Sequence, residues 1–205
     1  MSPTVLQKIL GAGVMFGSAI AVASMFMAVE PRPAYAEACN LTKDADDLSA
    51  DEVDKLYACM RDKLTAAYGK GNVAAGKDYT SWKAGSMRPA APGPHGSRFL
   101  MTYVNDIGHA EYIKYTEGKP KMPVGTVIAK ESFKANKKGV VKPGPLFLMT
   151  KLDDGKAAKY GDWLYGGVKP NGKVMKVSQK FCHDCHGAFD DQDSLGYPDT
   201  DVRIK

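Results

Sequence analysis

A short stretch near the carboxyl end, residues 181–186, contains the pattern Cys-x-x-Cys-His. Cys182 and Cys185 are spaced so that each can add to one vinyl group of the same porphyrin. The adjacent His186 then supplies a ring nitrogen to the iron of that porphyrin. The sequence therefore predicts one covalently attached c-type haem, with Cys182 and Cys185 as attachment sites and His186 as an iron ligand.

Two other kinds of site also use closely spaced cysteines. A structural zinc site needs four ligands, usually from two separated pairs. Cys182, Cys185 and one histidine give three, so His95 or His109 would have to complete the set. A thioredoxin-like redox pair lies between a strand and a helix of a βαβ unit, whereas this pair follows a region rich in β-forming residues. We therefore favour covalent haem over both alternatives.

The first residues have the features of an export signal. An uncharged run over residues 9–29 follows Lys8, and Ala34-Tyr35-Ala36 places small residues before a cleavage point at Glu37. The run is also long enough to span a bilayer, so cleavage and an uncleaved membrane anchor both stay open. In either case we expect a periplasmic protein, free or anchored to the inner membrane, because c-type haem is attached outside the cytoplasm.

Two further cysteines lie in the part of the chain that we expect to be exported, where disulfides are permitted. Between Cys39 and Cys59, the residues Ser49 and Glu52 have the spacing of a capping box. Apolar residues then recur at helical intervals, which predicts a helix over residues 50–68. A bridge between Cys39 and Cys59 and a pair of unpaired thiols are both compatible with this arrangement, and we favour the bridge.

The remainder of the chain favours an antiparallel sheet, because short runs of β-forming residues are separated by turns and a single short helical stretch near residues 109–115. Several of these runs are apolar on both faces, as in a sheet that covers a large cofactor. The predicted fold is mainly β, an antiparallel sheet enclosing one haem, with an N-terminal helical segment (α+β overall). The predicted strands cover residues 99–104, 125–133, 146–152, 163–165 and 174–177.

The composition of the chain excludes several other classes of protein. Of the 205 residues, 44% are hydrophobic and 25% are charged, which excludes a disordered polymer and a polytopic membrane protein. The net charge of +5 comes from lysines interspersed with aspartates, so nucleic-acid binding has little support. We expect an export signal or anchor over 1–36, a helical segment with the disulfide over 37–78 and a haem domain over 79–205. A homodimer stays open.

Several stretches of the chain resemble the cytochrome P-460 family. They are His95-Gly96, residues 103–105, residues 123–131, Gly161-Asp162-Trp163 and the Cys-x-x-Cys-His pattern. The resemblance implies a mostly antiparallel β fold around one c-type haem. The family includes enzymes that oxidise hydroxylamine, in which a lysine is covalently joined to the porphyrin. It also includes relatives, similar to the β-type cytochromes c-prime, that bind NO or CO at a five-coordinate iron.

Lys130 and Glu131 lie in the stretch that matches the family, and we regard both as candidate catalytic residues. Strict alternation places their side chains on opposite faces of one strand. Lys130 is the candidate for the cross-link to the porphyrin. Glu131 either accepts a proton from a haem-bound substrate or pairs with Arg98. A charge on so apolar a strand is costly unless it is paired, so we expect a special environment for at least one of the two.

The sixth position of the iron decides between two functions. A methionine ligand suits a cytochrome that passes electrons to a redox partner protein, and lysines before the haem pattern could steer an acidic partner toward it. An open position suits a protein that binds NO or CO or an enzyme that oxidises hydroxylamine. The candidate ligands are His95, His109, Met87, Met101, Met122, Met149 and Met175, and the steering lysines are Lys169, Lys173, Lys176 and Lys180.

Overall fold

The computed structural model describes residues 39–205, so the predicted export segment lies outside the described residues. Its centre is one six-stranded antiparallel sheet with the order β1-β2-β3-β5-β6, and β4 pairs with the end of β3. The strands are β1 Lys83–Ala84, β2 Phe99–Val104, β3 Val127–Ala135, β4 Val141–Pro143, β5 Leu146–Lys151 and β6 Trp163–Val168. The predicted antiparallel α+β fold is confirmed.

The helices lie before, between and after these strands. They are α1 Ala50–Tyr68, α2 Ala74–Asp78, the single turn α3 Pro94–Ser97, α4 Asp106–Tyr112 and α5 Gln179–His186. Short 3-10 segments cover Ala45–Asp47, Tyr79–Ser81, Ala158–Tyr160, Gly187–Gln192 and Thr200–Val202. Within residues 39–205, no helix combines the length and the apolar character that crossing a membrane requires.

Helix α1 has the bounds that the sequence predicts, and its beginning is fixed because its first turn is capped locally. The backbone N–H of Glu52 donates to the Ser49 hydroxyl, and the backbone N–H of Ser49 donates to the Glu52 carboxylate, which completes the capping box. The apolar side of the helix, which includes Met60 and Leu64, is fully buried in one of the two core clusters. Burial of this face against the sheet stabilises the helix more than its residue propensities do.

The predicted disulfide is confirmed. Cys39 and Cys59 are bonded, with their Cα atoms 5.9 Å apart. The segment around Cys39 also pairs with the turn between β3 and β4, since the N–H of Val141 donates to the carbonyl of Cys39 and that of Leu41 donates to the carbonyl of Gly139. The bridge therefore ties the start of the described chain to α1, and these hydrogen bonds tie it to the sheet.

The two faces of the sheet carry different layers. On one face α1 covers a cluster that includes Phe99 and Phe133. On the other face the chain after β6 covers a second cluster that includes Trp163, Met149 and Leu195. The strands β2, β3, β5 and β6 each contribute buried residues to both clusters, because successive side chains of a strand point to opposite faces.

Some predicted elements differ from the structure. The predicted strand over 174–177 is wrong: Val174 makes a single isolated bridge to Val168, and the chain then turns into the Ser178 cap of α5. The short helix expected near residues 109–115 lies earlier, at Asp106–Tyr112, because the Asn105 side chain accepts a hydrogen bond from the N–H of Gly108 and caps it there.

Candidate haem site

Helix α5 carries the Cys-x-x-Cys-His pattern. Its start is fixed by Ser178, whose hydroxyl accepts a hydrogen bond from the N–H of Phe181. Cys182 is half-buried and Cys185 is exposed, and neither thiol is in a disulfide. Residues three apart on a helix lie on the same side, so both thiols can reach one planar molecule. Burial, with a smaller contribution from Cys185, raises the pKa of the Cys182 thiol.

His186 is held in one orientation at the end of α5. Its Nδ1 lies 2.8 Å from the carbonyl oxygen of Ser194. Because a carbonyl can only accept, Nδ1 carries the proton and Nε2 is left bare, which is the tautomer that binds a metal. Burial, helped by the positive charge of Lys130, lowers the pKa of His186 to about 4, so the imidazole is neutral near pH 7.

A buried ion pair positions the loop that presents the Ser194 carbonyl. The Lys151 ammonium at the end of β5 lies 2.7 Å from an oxygen of the Asp193 carboxylate. Trp163 in β6 donates from its ring N–H to the backbone carbonyl of Asp193 at 2.7 Å, and the N–H of Met122 donates to the Asp193 side chain at 2.9 Å. Our sequence analysis missed Lys151 and Asp193, although a lysine on the apolar strand 146–152 was a signal for a buried partner.

Lys130 lies on the sheet face that α5 covers, as the cross-link hypothesis requires. It is paired across the strands with Thr102 on β2 and Phe147 on β5, and its ammonium donates to the carbonyl of Gly196 at 3.2 Å. Burial lowers the pKa of the Lys130 amine to about 8. The lowered pKa favours the unprotonated amine relative to an exposed lysine, and only that form is nucleophilic.

Glu131 lies on the opposite face of β3, under α1. Its two carboxylate oxygens accept hydrogen bonds from the hydroxyls of Tyr57 at 2.6 Å and Tyr79 at 2.5 Å. Burial raises the pKa of this carboxyl, and the two tyrosines oppose that shift. Arg98, the partner considered from the sequence, instead donates to the backbone carbonyls of His95 and Gly96. The structure thus brings Lys130 beside the haem pattern and does not bring Glu131 there.

Among the candidate distal ligands, the structure brings His95 next to His186. The centroids of the two imidazole rings are 6.0 Å apart. His109 instead lies 2.9 Å from the carbonyl of Ala84 through its Nε2, and the Met101 sulfur lies on the α1 side of the sheet in the first core cluster. Burial and the positive charge of Lys130 lower the pKa of His95 to about 4.

The remaining methionine candidates fall into three kinds of environment. Met122 and Met149 are buried in the second core cluster. Met87 is 46% exposed. Met175 lies beside β6, where its backbone N–H donates a hydrogen bond to the carbonyl of Gly167.

The donor set on this face fits a covalently attached haem. It combines two unbridged thiols on one side of a helix with a neutral imidazole whose Nε2 is bare. One aromatic ring lies beside that imidazole, since the centroid of Tyr165 is 5.3 Å from that of His186, and Phe147 packs on the neighbouring His95. Phe181, next to Cys182, adds an apolar surface that is 74% exposed. A flat apolar cofactor is the kind of ligand that such a surface suits.

Comparison with known proteins agrees with this chemistry. The family model described as Cytochrome P460 matches residues 76–195, which is more than half of the chain. The matched range contains every strand of the sheet and the Cys-x-x-Cys-His pattern, and it leaves out α1 and the disulfide. A search of curated proteins found no match. The chain belongs to the cytochrome P460 family, whose members are haem proteins.

Proposed function

We propose that this protein is an exported monohaem c-type cytochrome that transfers electrons or carries out redox chemistry on a small ligand. Cys182 and Cys185 hold the haem and His186 binds its iron. The observation that carries the proposal is the hydrogen bond from His186 to the Ser194 carbonyl, because it leaves Nε2 bare beside two thiols of the same helix. A haem bound there supplies one-electron chemistry and an iron that can take a small ligand.

The residues around the motif have separate tasks in this proposal. The thiols fix the porphyrin, Ser194 orients the proximal imidazole, and Phe147 and Tyr165 keep water from that side of the sheet. The Cys39–Cys59 bridge supports an extracytoplasmic location, because disulfides persist in oxidising compartments.

Covalent attachment is the direct test. The chain is produced in a host that matures c-type cytochromes, denatured, and extracted with acidified organic solvent. Haem should stay on the wild-type polypeptide and on the control variant Cys39→Ser/Cys59→Ser. It should be lost from Cys182→Ala/Cys185→Ala. Extraction of all haem from the wild-type chain would contradict the proposal.

A second candidate, a hydroxylamine-oxidising enzyme, is favoured by one observation: the buried Lys130 amine lies on the haem side of the sheet with a lowered pKa. In this candidate Lys130 forms the lysine–porphyrin bond of the family. Proteolysis and mass spectrometry of the holoprotein would show the Lys130 peptide attached to the haem peptide, and Lys130→Arg would separate them. A Lys130 peptide that is released unmodified from the wild-type protein would rule this candidate out.

A further inference from the structure

We propose that the Cys39–Cys59 bridge is a site of thiol–disulfide exchange, which accepts two electrons from a small thiol and returns them by the reverse reaction. The sulfur that the thiol attacks is that of Cys59, and the sulfur that leaves is that of Cys39. The inference goes beyond the proposed function and does not depend on it, because the bridge lies outside the residues that the family model matches.

A lysine side chain contacts the bridge directly. The Lys63 ammonium, four positions after Cys59 on α1, donates a hydrogen bond to the Cys39 sulfur at 3.0 Å and lies 3.8 Å from the Cys59 sulfur. A cation beside a cysteine sulfur favours the thiolate, and a more stable leaving thiolate makes a disulfide easier to open. Because the contact to Cys39 is the shorter one, Cys39 is the better leaving group.

The accessibility of the two cysteines agrees with this assignment. Cys39 is only 4% exposed, whereas Cys59 is half-buried. Both line a surface cleft of about 310 Å³, whose walls also include Glu52 and Lys55. A cleft of this volume suits a small molecule, which is why the proposed reductant is a small thiol. The thiol attacks the more accessible sulfur, and the S–S bond breaks toward the lysine.

The exchange consists of two displacements. In the first, the thiolate of the small thiol bonds to the Cys59 sulfur, the electron pair of the S–S bond passes to Cys39, and the Cys39 thiolate stays beside the Lys63 ammonium. In the second, another thiolate attacks the small-molecule sulfur of the mixed disulfide and displaces Cys59. The two small thiols release two protons, of which Cys59 takes up one. Two thiols are thereby oxidised to one disulfide, and the bridge is reduced by two electrons.

Contacts other than the bridge hold both cysteines in place, so the bond can form again. The N–H of Val141 donates to the carbonyl of Cys39 at 2.8 Å, and the N–H of Leu41 donates to the carbonyl of Gly139 at 2.9 Å. Cys59 lies in the middle of the 19-residue helix α1, whose buried face packs in the first core cluster. The reduced sulfurs therefore stay close together, which favours the reverse reaction.

The first test measures the redox equilibrium of the bridge in the holoprotein. The wild type, Lys63→Met and Lys63→Arg are equilibrated without oxygen in mixtures of reduced and oxidised glutathione. The samples are then alkylated, and the peptides that contain Cys39 and Cys59 are quantified by mass spectrometry. Lys55→Met is the matched control, because Lys55 is another lysine of α1 that lines the same cleft.

Lys63→Met should shift the equilibrium about tenfold toward the disulfide, because the reduced form loses a hydrogen bond to a charged group. For a two-electron couple this shift is a reduction potential about 30 mV more negative. Lys63→Arg keeps the positive charge and should stay within about twofold of the wild type, as should Lys55→Met at the exposed control position. An unchanged equilibrium in Lys63→Met, or an equal shift in Lys55→Met, would overturn the inference.

The second test identifies the attacked sulfur in the wild-type protein, so it does not depend on the folding of any variant. After brief exposure to reduced glutathione and rapid alkylation, glutathione should be found on Cys59 and the alkyl group on Cys39. The opposite assignment, or a bridge that glutathione opens only in denaturing urea, would overturn the inference. Both tests detect cysteine chemistry at residues 39 and 59, so extraction of haem from the wild-type chain would contradict the proposed function alone.

Discussion

The buried pair between Lys151 and Asp193 makes Lys151→Met a severe substitution. The two side chains are only 4% and 13% exposed, and the ammonium contacts both carboxylate oxygens, at 2.7 Å and 2.9 Å, as well as the carbonyl of Gly161. Removing one partner of a buried ion pair leaves the other charge uncompensated and costs about 3–5 kcal/mol. We expect Lys151→Met to lower the free energy of unfolding by that amount.

A double-mutant cycle measured by urea unfolding tests the cause of this loss. Asp193 has a φ of 53°, which asparagine tolerates, and the amide oxygen of Asp193→Asn can still accept from the N–H of Met122. Each single variant leaves one buried charge, whereas Lys151→Met/Asp193→Asn leaves none. The double variant should therefore lose about 2–3 kcal/mol less than the sum of the single losses.

The exposed pair of Lys121 and Asp154 provides the control, because both of its side chains are about 70% exposed. Lys121→Met should leave the urea midpoint unchanged. The reasoning is refuted if Lys151→Met costs no more than this control, or if the two losses at 151 and 193 are additive. In either case the pair would not be what holds the loop that presents Ser194.

Three further substitutions test other parts of the structure. Glu131→Gln should lower the free energy of unfolding by about 1–3 kcal/mol, because the amide nitrogen cannot accept the hydrogen bond that the Tyr57 hydroxyl donates to the carboxylate. It should leave the haem spectrum unchanged, and a changed spectrum would place Glu131 at the haem. Cys39→Ser/Cys59→Ser opens a bridge with a sequence separation of 20 and should cost about 3 kcal/mol in urea unfolding; equal stability with and without the bridge would contradict this. Ser49→Ala removes the cap of α1 and should cost about 1 kcal/mol by the same measurement, unlike Ser49→Asp.

Local signals in the sequence were sufficient for α1 and for the strand Phe99–Val104, and the haem-attachment residues stay a prediction from the Cys-x-x-Cys-His pattern. The capping box fixes where α1 begins, and the strand is a dense run of β-forming residues in which five of the six positions are buried. Helix α5 was not predicted, because it is only eight residues long and most of those residues are polar. Its formation depends on the Ser178 cap and on contacts with β6 and the neighbouring 3-10 segments.

The arrangement of the candidate site depended on contacts between distant residues. Alternation places Lys130 and Glu131 on opposite faces, but it does not say which face meets the haem motif. That choice is made by α1, whose Tyr57 contacts Glu131 across 74 positions of sequence. The pair of Lys151 and Asp193, 42 positions apart, was likewise invisible to local patterns.

Because Lys130 and Glu131 are adjacent in β3, the register of this strand decides which of the two side chains lies on which face of the sheet. Sliding β3 by one residue would send the carboxylate toward His186 and the amine among the tyrosines, since a one-residue shift inverts every side chain of a strand. The Asn105 side chain fixes the register at the start of β3. Its amide nitrogen donates to the carbonyl of Gly125, and its amide oxygen accepts from the N–H of Val127. A single inserted or deleted codon between these anchors and Lys130 would therefore replace the amine by the carboxylate on the face that carries the Cys-x-x-Cys-His pattern, and would also invert the side chains that follow in the strand.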